Sequence, residues 1–175
     1  DPHDAIAYRL GAALQVDMQD YATAAEMLHQ GYERTSDIPI GYDLAKLLVH
    51  IGQDSTALVI TDRILRQDSL PPVIRLRAKA LNKRQQPSQA IALLEEQMLR
   101  DSTDFLTLID LATLYGQVEE TRRQEQVTAR YLQTDSLNVA VLLAHAESMM
   151  MLQEADSALH DYERIIGRGR FPTSF

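Results

Sequence analysis

Asp20–Leu28 reads DYATAAEML, and two later stretches repeat its pattern: PSQAIALLEE at Pro87–Glu96 and ADSALHDYE at Ala155–Glu163. Ala24, Ala57, Ala90 and Ala158 stand 33, 33 and 68 residues apart, and 68 is two units of 34. Gln124 fills the missing fourth place. A second landmark keeps the same period: Asp68-Ser69, Asp101-Ser102 and Asp135-Ser136 recur at spacings of 33 and 34. Two independent landmarks with one period of 33–34 residues make this a repeat chain.

Each unit reads as two amphipathic helices joined by a short break. In the first, Leu10, Gly11 and Leu14 precede a break at Met18-Gln19-Asp20, and Tyr21, Ala24, Leu28 and Gly31 follow. Steps of three and four residues put these side chains on one stripe of a helix. The other units repeat the arrangement around Gly52-Gln53-Asp54, Glu119-Glu120 and Gln153-Glu154. Asp20 and Asp54 read as N-caps, the Asp-Ser pairs as closing one unit and capping the next, and Pro71-Pro72 and Pro87 as first-turn prolines. The pattern predicts ten helices, at 4–16, 21–34, 38–51, 54–67, 71–84, 87–100, 103–117, 120–133, 137–151 and 155–166, and no sheet. The units fall at 4–36, 37–69, 70–102, 103–136 and 137–166, with a tail at 167–175.

The chain resembles the tetratricopeptide repeat family. YRLGAAL at Tyr8–Leu14, GYDLAKLL at Gly41–Leu48 and IDLATLY at Ile109–Tyr115 are similar to the first helix of its 34-residue motif, and the three stretches quoted above to the second. The resemblance covers about residues 5 to 166. It implies an all-α fold, a right-handed α–α superhelix (solenoid) of about five helix-turn-helix repeats. It also implies a protein-interaction role with no catalysis. Some positions depart from the pattern. Ser36, Ser69, Ser102 and Ser136 stand where the family usually has Pro, Arg77 takes a normally apolar place, and the first unit carries one extra residue near Met18. Gln124 replaces the Ala of the tightest helix contact, which marks the fourth unit as the weakest.

Composition narrows the chemistry. The net charge is −8, which makes nucleic acid a poor partner. The acid is uneven: through Pro87 there are 10 Lys/Arg against 11 Asp/Glu, and from Ser88 onward 7 against 14. With no cysteine there are no disulfides and no thiolate sites. His3, His29, His50, His145 and His160 lack the pairwise spacing of a helical metal site, and His145 reads as a satisfied core histidine. No phosphate-cradling, dinucleotide-binding or nucleophile-elbow motif is present, so the reading is no enzyme, no cofactor and no metal. No apolar run reaches the roughly 20 residues that span a bilayer. The opening at Asp1, with no signal-like segment, reads as a mature form or an excised piece, and the compartment stays open between cytoplasmic and periplasmic.

Resemblance to the family also says which offsets face the inner, concave surface. These are Tyr8, Arg9, Ala12 and Gln15, then Tyr42, Lys46, Val49 and His50, then Arg75, Lys79, Asn82 and Lys83. The stretch PPVIRLRAKALNKR carries five basic residues and no acid. A concave positive surface attracts carboxylates, which suits an acidic peptide or tail of another protein. The family's carboxylate clamp does not match here, because Ala12 and Lys46 fall where its two Asn belong. Lys83 and Arg84 also have a simpler reading, as cations at a helix C-terminus. Farther on, the inner offsets turn apolar with Leu106, Ile109 and Thr113, then Ala140, Leu143, Met150 and Met151. The last helix runs into GRGRFPTSF with no polar cap, leaving Ile165 and Ile166 to be covered by the tail, a missing segment or a partner. A homodimer through the C-terminal repeat is therefore the alternative to peptide binding, and a spacer or regulatory segment of a larger protein is a third reading.

Overall fold

A computed structural model of the chain describes residues 2–169. Among them are ten helices and no strand: α1 (Pro2–Asp17), α2 (Tyr21–Thr35), α3 (Ile38–His50), α4 (Asp54–Leu65), α5 (Pro71–Lys83), α6 (Pro87–Arg100), α7 (Phe105–Gln117), α8 (Thr121–Leu132), α9 (Val139–Met151) and α10 (Ala155–Gly169). The helices agree with the periodic pattern to within a few residues. The last continues through Gly167, where the sequence suggests a tail, and Phe171 and Phe175 lie outside the described residues.

One backbone device makes the repeat. Gln19, Gly52, Gln85, Glu119 and Gln153 each take a left-handed conformation, with φ between 60° and 80°. The next residue in each case sends its N–H back five positions: Asp20 to the Gln15 carbonyl, Gln53 to Leu48, Gln86 to Leu81, Glu120 to Tyr115 and Glu154 to Met149, all at 2.8–3.0 Å. This closure satisfies carbonyls that the end of a helix leaves free. Only Gly52 adopts the left-handed turn without cost; the four longer side chains pay about 1–2 kcal/mol each in steric strain. The extra residue of the first unit lies between Val16 and this turn, so α1 runs one residue further than α3 in the common register.

The caps correct the sequence reading. Asp20 does cap α2, accepting the Thr23 N–H at 3.1 Å. Asp54 does not cap α4: it is the first helical residue, the cap is Gln53, and the buried Asp54 Oδ1 has no hydrogen-bond partner among the described residues. The Asp-Ser pairs at Asp101 and Asp135 do not cap either, each aspartate lying three residues before the cap. Asp101 accepts from Thr103, and Asp135 from Leu137, while the caps proper are Asp104 and Asn138. A carboxylate four residues before a helix folds the linker as an Asx turn and leaves the capping to a later residue.

The helices gather into two compact units, Asp1–Leu93 and Leu94–Phe175. In the first, Ala24, Leu28, Tyr32, Ile40, Leu44, Ala45, Leu48, Ala57, Ile60, Ile64 and Val73 form one buried cluster. Ala24, Ala45 and Ala57 are fully buried, so the small residues of the motif sit where helices come closest. Arg77, at a normally apolar position, turns over α4: its guanidinium donates to the Leu58 carbonyl at 3.0 Å and lies 3.6 Å from Asp62.

In the second unit, Leu108, Leu132, Val141 and Leu142 form one cluster and Ala146, Met149 and Ala158 another. Gln124 is buried opposite Gly116, whose missing Cβ leaves room for the amide. Tyr115 is also buried, and its hydroxyl donates to Glu95 at 2.5 Å. Burial first, then that hydrogen bond and the Glu95 charge, holds the Tyr115 phenol well above its usual pKa. The unfolded chain therefore loses this proton first as pH rises. The contribution is complete below about pH 10 and shrinks above it. Tyr115→Phe is expected to flatten the alkaline loss of stability, read from urea midpoints on either side of about pH 10; an unchanged slope would count against this assignment.

Candidate functional site

Three first helices of the N-terminal unit, α1, α3 and α5, line a trough of about 680 Å³. The repeat register decides what faces it. Ala12, Lys46 and Lys79 are equivalent positions on successive helices, and so are Val16, His50 and Lys83. The floor is apolar, built from Leu47, Val49 and Leu76 with Tyr21 and Leu28 of α2. Four cations line it, Arg9, Lys46, Lys79 and Lys83, against two carboxylates, Asp17 and Asp43.

The charges do not all cancel. Arg9 Nε donates to Asp43 Oδ2 at 2.7 Å, across 34 residues of sequence. Lys83 Nζ donates to the Val49 carbonyl at 2.6 Å, in the last turn of α3 where the helix end is negative. The exposed Lys46 and Lys79 pair with no carboxylate among the described residues. His50 stacks edge-on against Tyr21, with centroids 5.3 Å apart. What the trough offers a ligand is two free ammonium groups in register above an apolar floor.

No family model matches the sequence, and no curated protein matches it. Solved structures do match. MamA from residue 41 to its end, from Desulfovibrio magneticus RS-1, is 15% identical over 98% of each chain with a TM-score of 0.78. A tetratricopeptide repeat protein from Parabacteroides merdae ATCC 43184 is 17% identical, over 95% of this chain and 67% of that one, with the same TM-score. YrrB, a TPR protein with an unusual peptide-binding site, is 15% identical over 95% of this chain and 87% of its own, at a TM-score of 0.67. The chain has the tetratricopeptide-repeat fold.

Within the tetratricopeptide-repeat register, the residues chosen from sequence separate into two groups. Arg9, Lys46, His50, Lys79 and Lys83 come together at the trough. Tyr8, Tyr42, Arg75 and Asn82 do not line it. Tyr8 is a packing residue: its ring lies against Gly31, where an added Cβ would come within 2.8 Å, and its hydroxyl accepts from Arg34 at 3.1 Å. Tyr42 packs half-buried against the N-terminal core, and Arg75 and Asn82 are half-buried on α5. In the C-terminal unit, Leu106, Leu143, Met150 and Met151 are exposed, whereas Ile109 packs against the Leu108 cluster. The methionine run divides, with Met149 in the core.

Sequence reasoning passed over Asp161. It is buried, with Oδ2 2.5 Å from His145 Nδ1 and Oδ1 accepting from Arg164 at 3.1 Å. His145 Nε2 also lies 4.0 Å from Glu125. This is the satisfied core histidine expected from the pattern, with its partner now identified. Among the described residues no group of three or more His, Cys, Asp and Glu could hold a metal ion, and no helix is long and apolar enough to cross a membrane.

Proposed function

We propose that this chain is a protein-interaction module whose N-terminal unit binds an acidic segment of a partner protein in the trough between α1, α3 and α5. One observation carries the reading: Lys46 and Lys79, equivalent in the repeat and exposed, have no carboxylate partner among the described residues above the apolar floor. An extended peptide that alternates carboxylates with apolar side chains satisfies both features at once. The wall of low-dielectric side chains strengthens the attraction, and the two free ammoniums set its register. The peptide-binding site reported for YrrB, at a TM-score of 0.67, supports the same use of the fold.

The test uses a fluorescent peptide of alternating Glu and Leu, followed by anisotropy. The unmodified chain binds it, and binding weakens with added salt because the pairs are exposed. Lys46→Glu with Lys79→Glu is expected to weaken binding at least tenfold, about 1.4 kcal/mol, while the helical circular dichroism stays the same. Lys46→Arg with Lys79→Arg keeps most of the affinity. Equal binding by the double Glu variant would remove the trough from consideration.

A further inference from the structure

Four carboxylates of this chain take a cation three or four residues further along: Asp62 with Arg66, Glu96 with Arg100, Glu120 with Arg123 and Asp161 with Arg164. That spacing brings two side chains together on one face of a helix, and acid before base is the favourable order. Asp43 and Lys46 have the same spacing and order on α3, and both line the trough. Yet they do not pair. Asp43 Oδ2 accepts from Arg9 Nε of α1 at 2.7 Å, and the Lys46 ammonium has no carboxylate partner among the described residues.

The repeat register explains which side holds Asp43. Arg9 and Asp43 are equivalent positions one unit apart, and the next equivalent is Leu76, in the apolar floor. At this level of the trough α1 therefore offers a cation and α5 offers none. The chemistry of the two cations decides the rest. A guanidinium is weakly hydrated and presents its N–H groups in fixed directions, whereas an ammonium is strongly hydrated and keeps its water. Ion pairs this exposed are weak, so a single substitution is enough to redirect the carboxylate.

We propose that Arg9 is a positioning residue for the trough: by holding Asp43 it keeps the Lys46 ammonium available to a carboxylate of the partner. The inference rests on the reading of the trough as a site for an acidic segment. Without the guanidinium, Asp43 turns along α3 to Lys46, as the four pairs above do at their own spacing. The trough then loses one of the two ammonium groups that lie in register. Asp17, the other carboxylate of the trough, is on α1 and has no helical spacing to Lys46, so it contributes charge alone.

The alternating Glu and Leu peptide, followed by anisotropy, tests this with four variants of the 175-residue chain. Arg9→Gln is expected to weaken binding at least about threefold, the size of one exposed ion pair, with helical circular dichroism unchanged. Arg9→Lys still holds Asp43 and should bind like the unmodified chain. Arg9→Gln with Asp43→Asn should recover the lost affinity, because nothing is left to occupy Lys46. Arg9→Gln with Asp17→Asn should stay weak. Both double variants leave three cations against one carboxylate in the trough, so net charge cannot explain a difference between them. Arg9→Gln binding as tightly as the unmodified chain overturns the proposal, and so does equal recovery by the two double variants. The trough reading itself is judged separately, by Lys46→Glu with Lys79→Glu. If that variant loses the peptide while Arg9→Gln keeps it, the trough stands and only the role of Arg9 falls; a peptide that binds none of the chains removes both.

Discussion

Ile64→Ala is expected to lower the stability of the N-terminal unit by about 3 kcal/mol, within the range of buried Ile-to-Ala substitutions. Ile64 is fully buried in α4, and its Cδ1 lies only 3.0 Å from the place a Cβ on Gly41 would occupy. The Tyr32 ring reaches the same spot from α2. Three helices therefore meet at a glycine, and Ile64 fills the space that glycine leaves. Collapse into the resulting cavity is obstructed. Gly41 has no side chain to turn inward, and Tyr32 is held beneath the Arg63 guanidinium, 4.8 Å from its ring centroid. Val59→Ala on the same helix is the control: it is 66% exposed, and its effect is expected within about 0.5 kcal/mol. Urea unfolding followed by far-UV circular dichroism measures both. A loss below about 1 kcal/mol for Ile64→Ala would mean that the three-helix contact relaxes freely.

The same corner shows what the amino-acid order discloses. Apolar steps of three and four mark Leu44, Leu48, Ile64 and Leu142 as core, and the 33–34-residue period aligns them across units, because burial on one helix face is a local property of the chain. The period also identifies equivalent positions, which is how Lys46 and Lys79 appear together before any coordinates. It does not say which way a long side chain turns. Tyr8 has the offset of a groove residue, yet its ring goes sideways onto Gly31, where the absent Cβ leaves room. Arg77 looks like a charge in an apolar place, but its length lets the guanidinium reach the Leu58 carbonyl. Asp54 looks like a cap because it follows a break, but the left-handed turn at Gly52 starts the helix one residue earlier than an Asp cap requires. Asp161 was the least legible residue. Its partner His145 is 16 residues away on another helix, and only the crossing of α9 and α10 brings them together.

Asp161→Ala is expected to destabilise the C-terminal unit by about 2–3 kcal/mol, the cost of stripping a buried charge-assisted network of its centre. The Asp161 side chain is 4% exposed and meets His145 on one oxygen and Arg164 on the other. Arg164 also donates to the Ser136 carbonyl, so the carboxylate ties α9 and α10 to the linker before α9. Removing it leaves the Arg164 cation without a counter-charge at a largely buried site and the His145 Nδ1 without a partner. Exposed pairs in this chain are different. Arg9–Asp43 has side chains 47% and 35% exposed, and Asp43→Ala is expected to cost under about 1 kcal/mol. Asp161→Asn retains the shape and an acceptor, and should fall between the two. A double-mutant cycle of Asp161→Ala with His145→Ala separates the pair from general packing: a coupling of at least about 1 kcal/mol is expected for groups in direct contact. Additive losses would show that Asp161 stabilises the unit through Arg164 alone, and the histidine contact would then be a consequence of the packing of α9 on α10 and not a cause of it.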